Sequence, residues 1–167
     1  RSAMAYSGAQ LAMEELNGAQ LTFNGQPVPV NITGWYTDKA IQTVALPPLQ
    51  AGENVLEASI PFGRRVNLEW AYLLGDFGVE ASGRYTCIVP ARAQLAFGDI
   101  TAQGLPFYGG NITYHIPVTT DGGALTLRAG QYRGVLQTAA LDDGDEQPVI
   151  YPPYTLTLPA VPAGQHT

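Results

Sequence analysis

Charge is what this chain has least of. Asp, Glu, Lys and Arg make up 13% of its 167 residues, about half the usual share, and Lys39 is the single lysine. The net charge is −6. Nucleic acid and anionic membrane surfaces select for Lys and Arg patches, so this balance argues against both as partners. One cysteine, Cys87, excludes an internal disulfide framework. Its neighbours, RYTCIV, read as a strand, which makes it a small buried hydrophobe rather than a reactive thiol. No apolar run reaches the roughly 18 residues that a membrane-spanning helix needs. Runs of strong helix formers are scarce too, apart from AQLAMEEL at residues 9–16, which fits a helical turn or a strand. There is no metal-ligand cluster of known spacing, no phosphate-binding glycine loop and no nucleophile elbow. Arg1 opens the chain without a visible signal segment, so localisation stays open between secreted, cell-surface and cytoplasmic.

What is present points to strands. Hydrophobic residues reach 46%, with 19 Gly and 13 Pro, the composition of a globular all-β protein with many short strands. Asn24-Gly25 in AQLTFNGQPVPV is a strong hairpin signal, because both turn positions favour positive φ. AGENVLEASIPF alternates Val55, Glu57 and Ser59 with Leu56, Ala58 and Ile60 behind a tight turn at Gly52. VNLEWAYLLGDFGVEA reads as a strand, a Gly75-Asp76 bend and a second strand from Phe77, continued by GRYTCIVP. FYGGNITYHIPV reads as a strand with Ile112, Tyr114, Ile116 and Val118 on one face. GGALTLRAG and GVLQTAAL read as further strands, and DDGDE as an acidic turn.

A phrase recurs. TVALPPLQAGEN begins at Thr43 and TLTLPAVPAGQH at Thr155. Thr43, Leu46, Pro47, Ala51 and Gly52 match Thr155, Leu158, Pro159, Ala163 and Gly164 at a constant offset. An aromatic segment precedes each copy, and a turn, Asn24-Gly25 or Asp143-Gly144, lies further upstream. In each copy an extended strand is expected to stop at proline and to reverse at a Gly turn. After the first copy the next strand is NVLEASI; equivalence of the copies leads to the expectation that another strand follows Thr167.

The stretch FNGQPV…GWYTDKAIQTVALPPLQAGENVLEASIPF resembles the galactose-binding-like jelly-roll modules that flank catalytic domains in large bacterial glycoside hydrolases, family 2 and rhamnosidase-like enzymes among them. The shared features are an NG hairpin, an aromatic-containing segment and an L..G.N.L turn into a strand. GLPFYGGNITYHIPV and PPYTLTLPAVPAGQHT resemble the opening and later parts of a second such module. The resemblance implies an antiparallel jelly-roll β-sandwich, as one or two partial modules: residues 1–90, a connector 91–106, and 107–167. It further implies an ancillary, non-catalytic role beside a catalytic domain, with a carbohydrate as ligand. That family's catalytic carboxylates lie in a separate domain, and no catalytic residue carries over.

Candidate sites follow from side-chain chemistry. Flat exposed aromatics stack on the C–H faces of sugar rings, while polar neighbours bond the hydroxyls. GWYTDK offers Trp35, Tyr36, Asp38 and Lys39; Trp70, Tyr108, Tyr132 and Arg133 are the other candidates. In the competing reading Trp35 is core between sheets and Asp38 is turn chemistry. Glu69 and Asp76 as an acid–base pair compete with a strand Glu and a turn Asp. Tyr114, His115, Tyr132 and Arg133 would serve a polysaccharide lyase, another class of function. A structural or adhesive surface module without ligand is a third. Asp142, Asp143 and Asp145, with Glu146, resemble a structural-calcium ligand set, against a solvated acidic turn. No other cofactor is indicated.

Overall fold

The computed structural model describes every residue except Asn67, Leu68 and Gln131. The architecture is all-β, as the composition requires, and divides into two compact units, Arg1–Gly109 and Gly110–Thr167. Residues 91–106, expected as a connector, lie within the first unit.

The first unit contains β1 (Gln10–Met13), β2 (Gln20–Phe23), β3 (Gln26–Val28), β4 (Ile32–Tyr36), β5 (Asp38–Ala45), β6 (Leu56–Ser59), β7 (Tyr72–Leu74), β8 (Gly78–Ser82) and β9 (Tyr85–Val89), followed by one 3-10 turn at Thr101–Gln103. They form a four-stranded sheet in the order β4-β5-β1-β7, a three-stranded sheet β3-β2-β6 and a hairpin β8-β9. All pairings are antiparallel. The AQLAMEEL ambiguity resolves to the strand β1, in which Gln10, Leu11 and Ala12 have a partner on each side and Met13 pairs with Gln42.

Alternation explains the core. Leu11 lies opposite Val44, so both point to one face of the large sheet, and Met13 shares that face. Leu21 and Phe23 lie opposite Val28 and Leu56 respectively, on one face of the small sheet. These side chains, with Leu16, Leu46, Leu49 and Ile88, form a single apolar cluster, so the two sheets are layers of a sandwich. Thr22 points away, and its hydroxyl donates to Glu57 at 2.8 Å. The Asn24-Gly25 hairpin forms as expected, with Asn24 at φ 50 and Gly25 at φ 76.

The second unit contains β10 (Val118–Thr120), β11 (Gly123–Arg128), β12 (Thr138–Ala139), β13 (Gln147–Pro148), β14 (Thr155–Val161) and β15 (Gly164–His166). β10 pairs with β15 and β11 with β14. Thr120 faces Gly164 and Gly123 faces Val161, three residues on along each chain. The register therefore runs on from the first pair to the second and shifts by one residue between Gly123 and Leu125, so the four short strands make one two-stranded ribbon with a bulge. β12 and β13 form a separate hairpin.

Laid against the first unit, this ribbon repeats it position by position. In the first phrase Gly52 faces Ser2, Leu49 faces Tyr6, the Leu46 amide donates to the Ala9 carbonyl, and Ala45, Val44 and Thr43 face Gln10, Leu11 and Ala12. In the second, Gly164 faces Thr120, Val161 faces Gly123, and Leu158, Thr157, Leu156 and Thr155 face Leu125, Thr126, Leu127 and Arg128. The hairpins correspond as well. Thr22 faces Pro27 and Phe23 faces Gln26; Thr138 faces Pro148 and Ala139 faces Gln147, around a shared Gln-Pro-Val. The repeated phrase thus marks one β-module present twice.

Several expected strands are shorter than the sequence implied. FYGGNITYHIPV is strand only from Val118, because Gly109-Gly110 and Pro117 interrupt it and residues 111–117 have no ladder among the described residues. GVLQTAAL is strand only at Thr138–Ala139. The strand expected from Asn67 begins at Tyr72; Asn67 and Leu68 fall outside the described residues. β5 ends before Pro47 as expected, whereas β14 runs through Pro159 to Val161. A proline fits there because β14 has a paired neighbour on one side only. Cys87 is half-buried, with its thiol 3.5 Å from the Ile88 carbonyl.

Candidate functional site

Of the candidate aromatics of the first unit, Trp35 and Tyr36 lie on the edge strand β4 of the four-stranded sheet, and the register decides which ring each can meet. Gly34, Thr43, Ala12 and Tyr72 form one row across β4, β5, β1 and β7. Side chains in a row share a face, and this one is opposite the core face carrying Leu11 and Val44. β4 and β7 are the two edges of the sheet, about 14 Å apart at three strand spacings. Yet the rings of Tyr36 on β4 and Tyr72 on β7 are 5.3 Å apart at 57°. They reach inward from opposite edges over β5 and β1. That accounts for Ala12 at 0% and Thr43 at 4% exposure on an outer face. The small side chains of Gly34, Thr43 and Ala12 make room for rings lying across them.

Trp70 stands two residues before Tyr72, at the margin of this pair, and is 78% exposed. Trp35 belongs to a different row, with Gln42 and Met13, and so to the core-facing side of the edge strand. It is 56% exposed, so it is not a core residue. The structure brings Tyr36 to Tyr72 and does not bring Trp35 and Tyr36 onto a common face. Tyr72 is the partner that site selection from the sequence missed; its even spacing from Trp70 in a strand-like run was the available signal.

The polar neighbours are mainly turn chemistry. Thr37, at φ 56, makes the reversal between β4 and β5, and its hydroxyl donates to the Tyr36 carbonyl at 2.7 Å. Asp38 accepts the Ala40 amide at 2.7 Å, so its carboxylate shapes the start of β5. Lys39 is exposed beside it. Glu69 precedes β7 and Asp76 follows it, at opposite ends of that strand. The Asp76 amide donates to the Tyr6 hydroxyl at 2.7 Å, and the Tyr6 ring meets Phe77 edge-on, which holds the Gly75-Asp76 bend. Tyr108 is exposed late in the first unit.

In the second unit Tyr132 packs edge-on against Tyr154, with ring centroids 5.6 Å apart at 87°, and Arg133 is exposed beside it. Among the described residues no group of three or more His, Cys, Asp or Glu side chains is placed to hold a metal ion. Asp143 and Asp145 are exposed on the acidic turn. Asp142 is instead committed to internal donors: Oδ1 accepts the Thr167 amide at 2.9 Å, and Oδ2 lies 2.7 Å from Nδ1 of His166. The Asp142 amide donates to the Thr167 carbonyl at 2.7 Å. His166 Nε2 lies 3.0 Å from the Pro162 carbonyl. Beside this group is an open cleft of about 280 Å3 lined by Pro117, Val118, Thr119, Gln165 and Thr167 as well. The His166 hydrogen bond and the Thr167 amide lower the Asp142 pKa; the Asp142 hydrogen bond and the Pro162 carbonyl raise that of His166.

Comparison of the chain with protein-family models, with curated proteins and with solved structures finds no match.

Proposed function

We propose that this chain is a non-catalytic β-sandwich module that braces a neighbouring catalytic domain and offers an aromatic platform to a sugar ring. The observation that carries the reading is the meeting of Tyr36 and Tyr72 on the outer face of the large sheet, with Trp70 exposed at its margin. Two tyrosines supply an apolar surface of ring size and two hydroxyls that can bond a sugar's own. The sequence resemblance to sugar-binding jelly-roll modules of bacterial glycoside hydrolases supports the same ligand class, and makes such an enzyme the proposed parent.

A docking role for the second unit is supported by its composition of surfaces. Leu125, Leu127, Leu156 and Leu158 alternate along the ribbon and are only half-buried, while Val135, Leu136 and Tyr151 are exposed. Exposed apolar side chains in this number, if contiguous, mark contacts with other protein surfaces.

Titration of tryptophan fluorescence with a panel of oligosaccharides tests the proposal. Trp70 should report saturable binding of one sugar class. Tyr36→Ala and Tyr72→Ala should each weaken it tenfold or more, and Trp35→Ala should leave it within about twofold. Binding that survives both tyrosine changes would remove the platform. A chain that binds no sugar would leave a structural module without ligand.

A further inference from the structure

We infer that the second copy of the module carries a proton-operated clasp, in which the Asp142–His166 pair braces the joint between the acidic turn and the end of the ribbon and loses one of its two imidazole hydrogen bonds when the ring loses its proton.

The inference comes from equivalent joints in the two copies. In the first, Asn24 sits in the left-handed region at φ 50. Its amide donates to the Val55 carbonyl and its Oδ1 accepts the Val55 amide, both at 2.8 Å. Its Nδ2 donates to Asn54 Oδ1 at 3.2 Å, and Asn54 Nδ2 donates to the Gln50 carbonyl at 2.8 Å. In the second, Asp142 sits at φ 52 and makes the same two bonds to Thr167. His166 holds the place of Asn54, and Pro162 that of Gln50. The geometry is repeated with chemistry that titrates. Asn54 also accepts the Gln50 amide at 3.0 Å; Pro162 has no amide to give, so His166 has no donor to satisfy there.

Both contacts are satisfied together by one protonation state. A carbonyl can only accept, so the bond to Pro162 needs a proton on Nε2. The Asp142 carboxylate, ionised above its lowered pKa, also only accepts, so the bond at Oδ2 needs a proton on Nδ1. An imidazole with hydrogens on both nitrogens is the cation. The neutral ring has one hydrogen and must lose one of the two bonds.

The direction in pH follows. His166 is raised above 6.5, so its contribution is complete below 6.5 and is lost as pH rises through the raised value. Asp142 is lowered below 3.8, so its contribution is complete above 3.8 and is lost only in stronger acid. The clasp is fully braced between these ordinary values and loosens on the alkaline side. Among the described residues the cleft lining holds no titratable side chain besides this pair. On adjoining elements are Asp143, Asp145 and Glu146 of the turn, Asp121 between β10 and β11, and Arg128 of β11; His115 lies two residues before Pro117.

The experiment is an NMR titration of the two imidazoles in the intact chain. The resonance that disappears in His166→Gln should titrate with a midpoint above 6.5, and in Asp142→Asn that midpoint should fall toward 6.5. Protection of the Thr167 amide, corrected for intrinsic exchange, should fall over the same interval without being abolished, since its bond to Asp142 Oδ1 needs no proton on His166. A midpoint at or below 6.5 in the unmodified chain would overturn the inference without recourse to any variant. So would a raised midpoint that persists in Asp142→Asn.

Discussion

At one joint of this molecule Asn24 meets Asn54 through their side-chain amides; at the equivalent joint Asp142 meets His166 through a carboxylate and an imidazole. Backbone conformation, the paired bonds to the following residue and the reach back to the carbonyl four residues earlier are common to both. Side chains of different chemistry thus serve one geometric task. The task is to pin a turn to the end of a returning strand, and any short side chain that can both accept and bridge will do it. What differs is the response to protons, which the amide pair cannot have.

The same comparison extends to packing. Leu11 and Val44 are buried in the first unit because a second sheet covers them. Their equivalents, Leu127 and Leu156, are half-buried. Among the described residues, Val149 and Val161 are the fully buried apolar side chains of the second unit, and they occupy the places of Val28 and Leu49. The plan of the core is retained while much of its cover is not: the first unit has β4, β6 and β7 around the shared elements, and the second has no counterpart of them among the described residues.

The largest contrast expected is therefore in stability. Leu11→Ala should cost about 2–5 kcal/mol, as a core truncation does, and Leu127→Ala about 1 kcal/mol, read by urea unfolding. Equal losses would mean that the second unit is as closed as the first. A smaller contrast concerns the row under the tyrosines. Ala12→Leu should cost about 1–3 kcal/mol by overpacking and push Tyr36 away from Tyr72. Arg128, in the place of Ala12, is exposed, and Arg128→Ala should stay within about 0.5 kcal/mol. The least in energy but the sharpest in kind is an exchange of joints. Asn24→Asp with Asn54→His should give the first unit a pH dependence it lacks, and Asp142→Asn with His166→Asn should abolish it in the second. If thermal unfolding across pH does not follow the exchanged side chains, the joints are not equivalent.

Much of this was legible in the sequence, and what was not has identifiable causes. The all-β class followed from Gly, Pro and scarce charge, and the β2–β3 hairpin from Asn24-Gly25. The repeat was visible as TVALPPLQAGEN and TLTLPAVPAGQH, because matched positions in both copies face matched positions on the partner strand. The partner strands were not recognisable as copies: Ser2–Ala12 and Thr120–Arg128 differ in length by a residue in each gap and share little but alternation. Strand extent was overestimated at residues 107–117, where alternation is present but no ladder forms among the described residues. Trp35 drew attention beside Tyr36 because adjacency in sequence suggests a shared site. In a strand adjacency separates faces, so the companion of Tyr36 was Tyr72; the spacing from Trp70 marked Tyr72 as a candidate, and strand order paired it with Tyr36. Asp142 was read as part of a solvated acidic turn, with calcium as the alternative; its actual partner, His166, lies 24 residues on at the end of the second phrase.

The claim that the two units share one joint, titratable in one copy alone, is tested most directly by amide hydrogen exchange at Val55 and Thr167 as pH is raised from 5 to 9. With intrinsic rates removed, Val55 should keep its protection throughout, and Thr167 should lose part of it as His166 gives up its proton. Parallel behaviour of the two amides, whether both protected or both lost, would contradict the account.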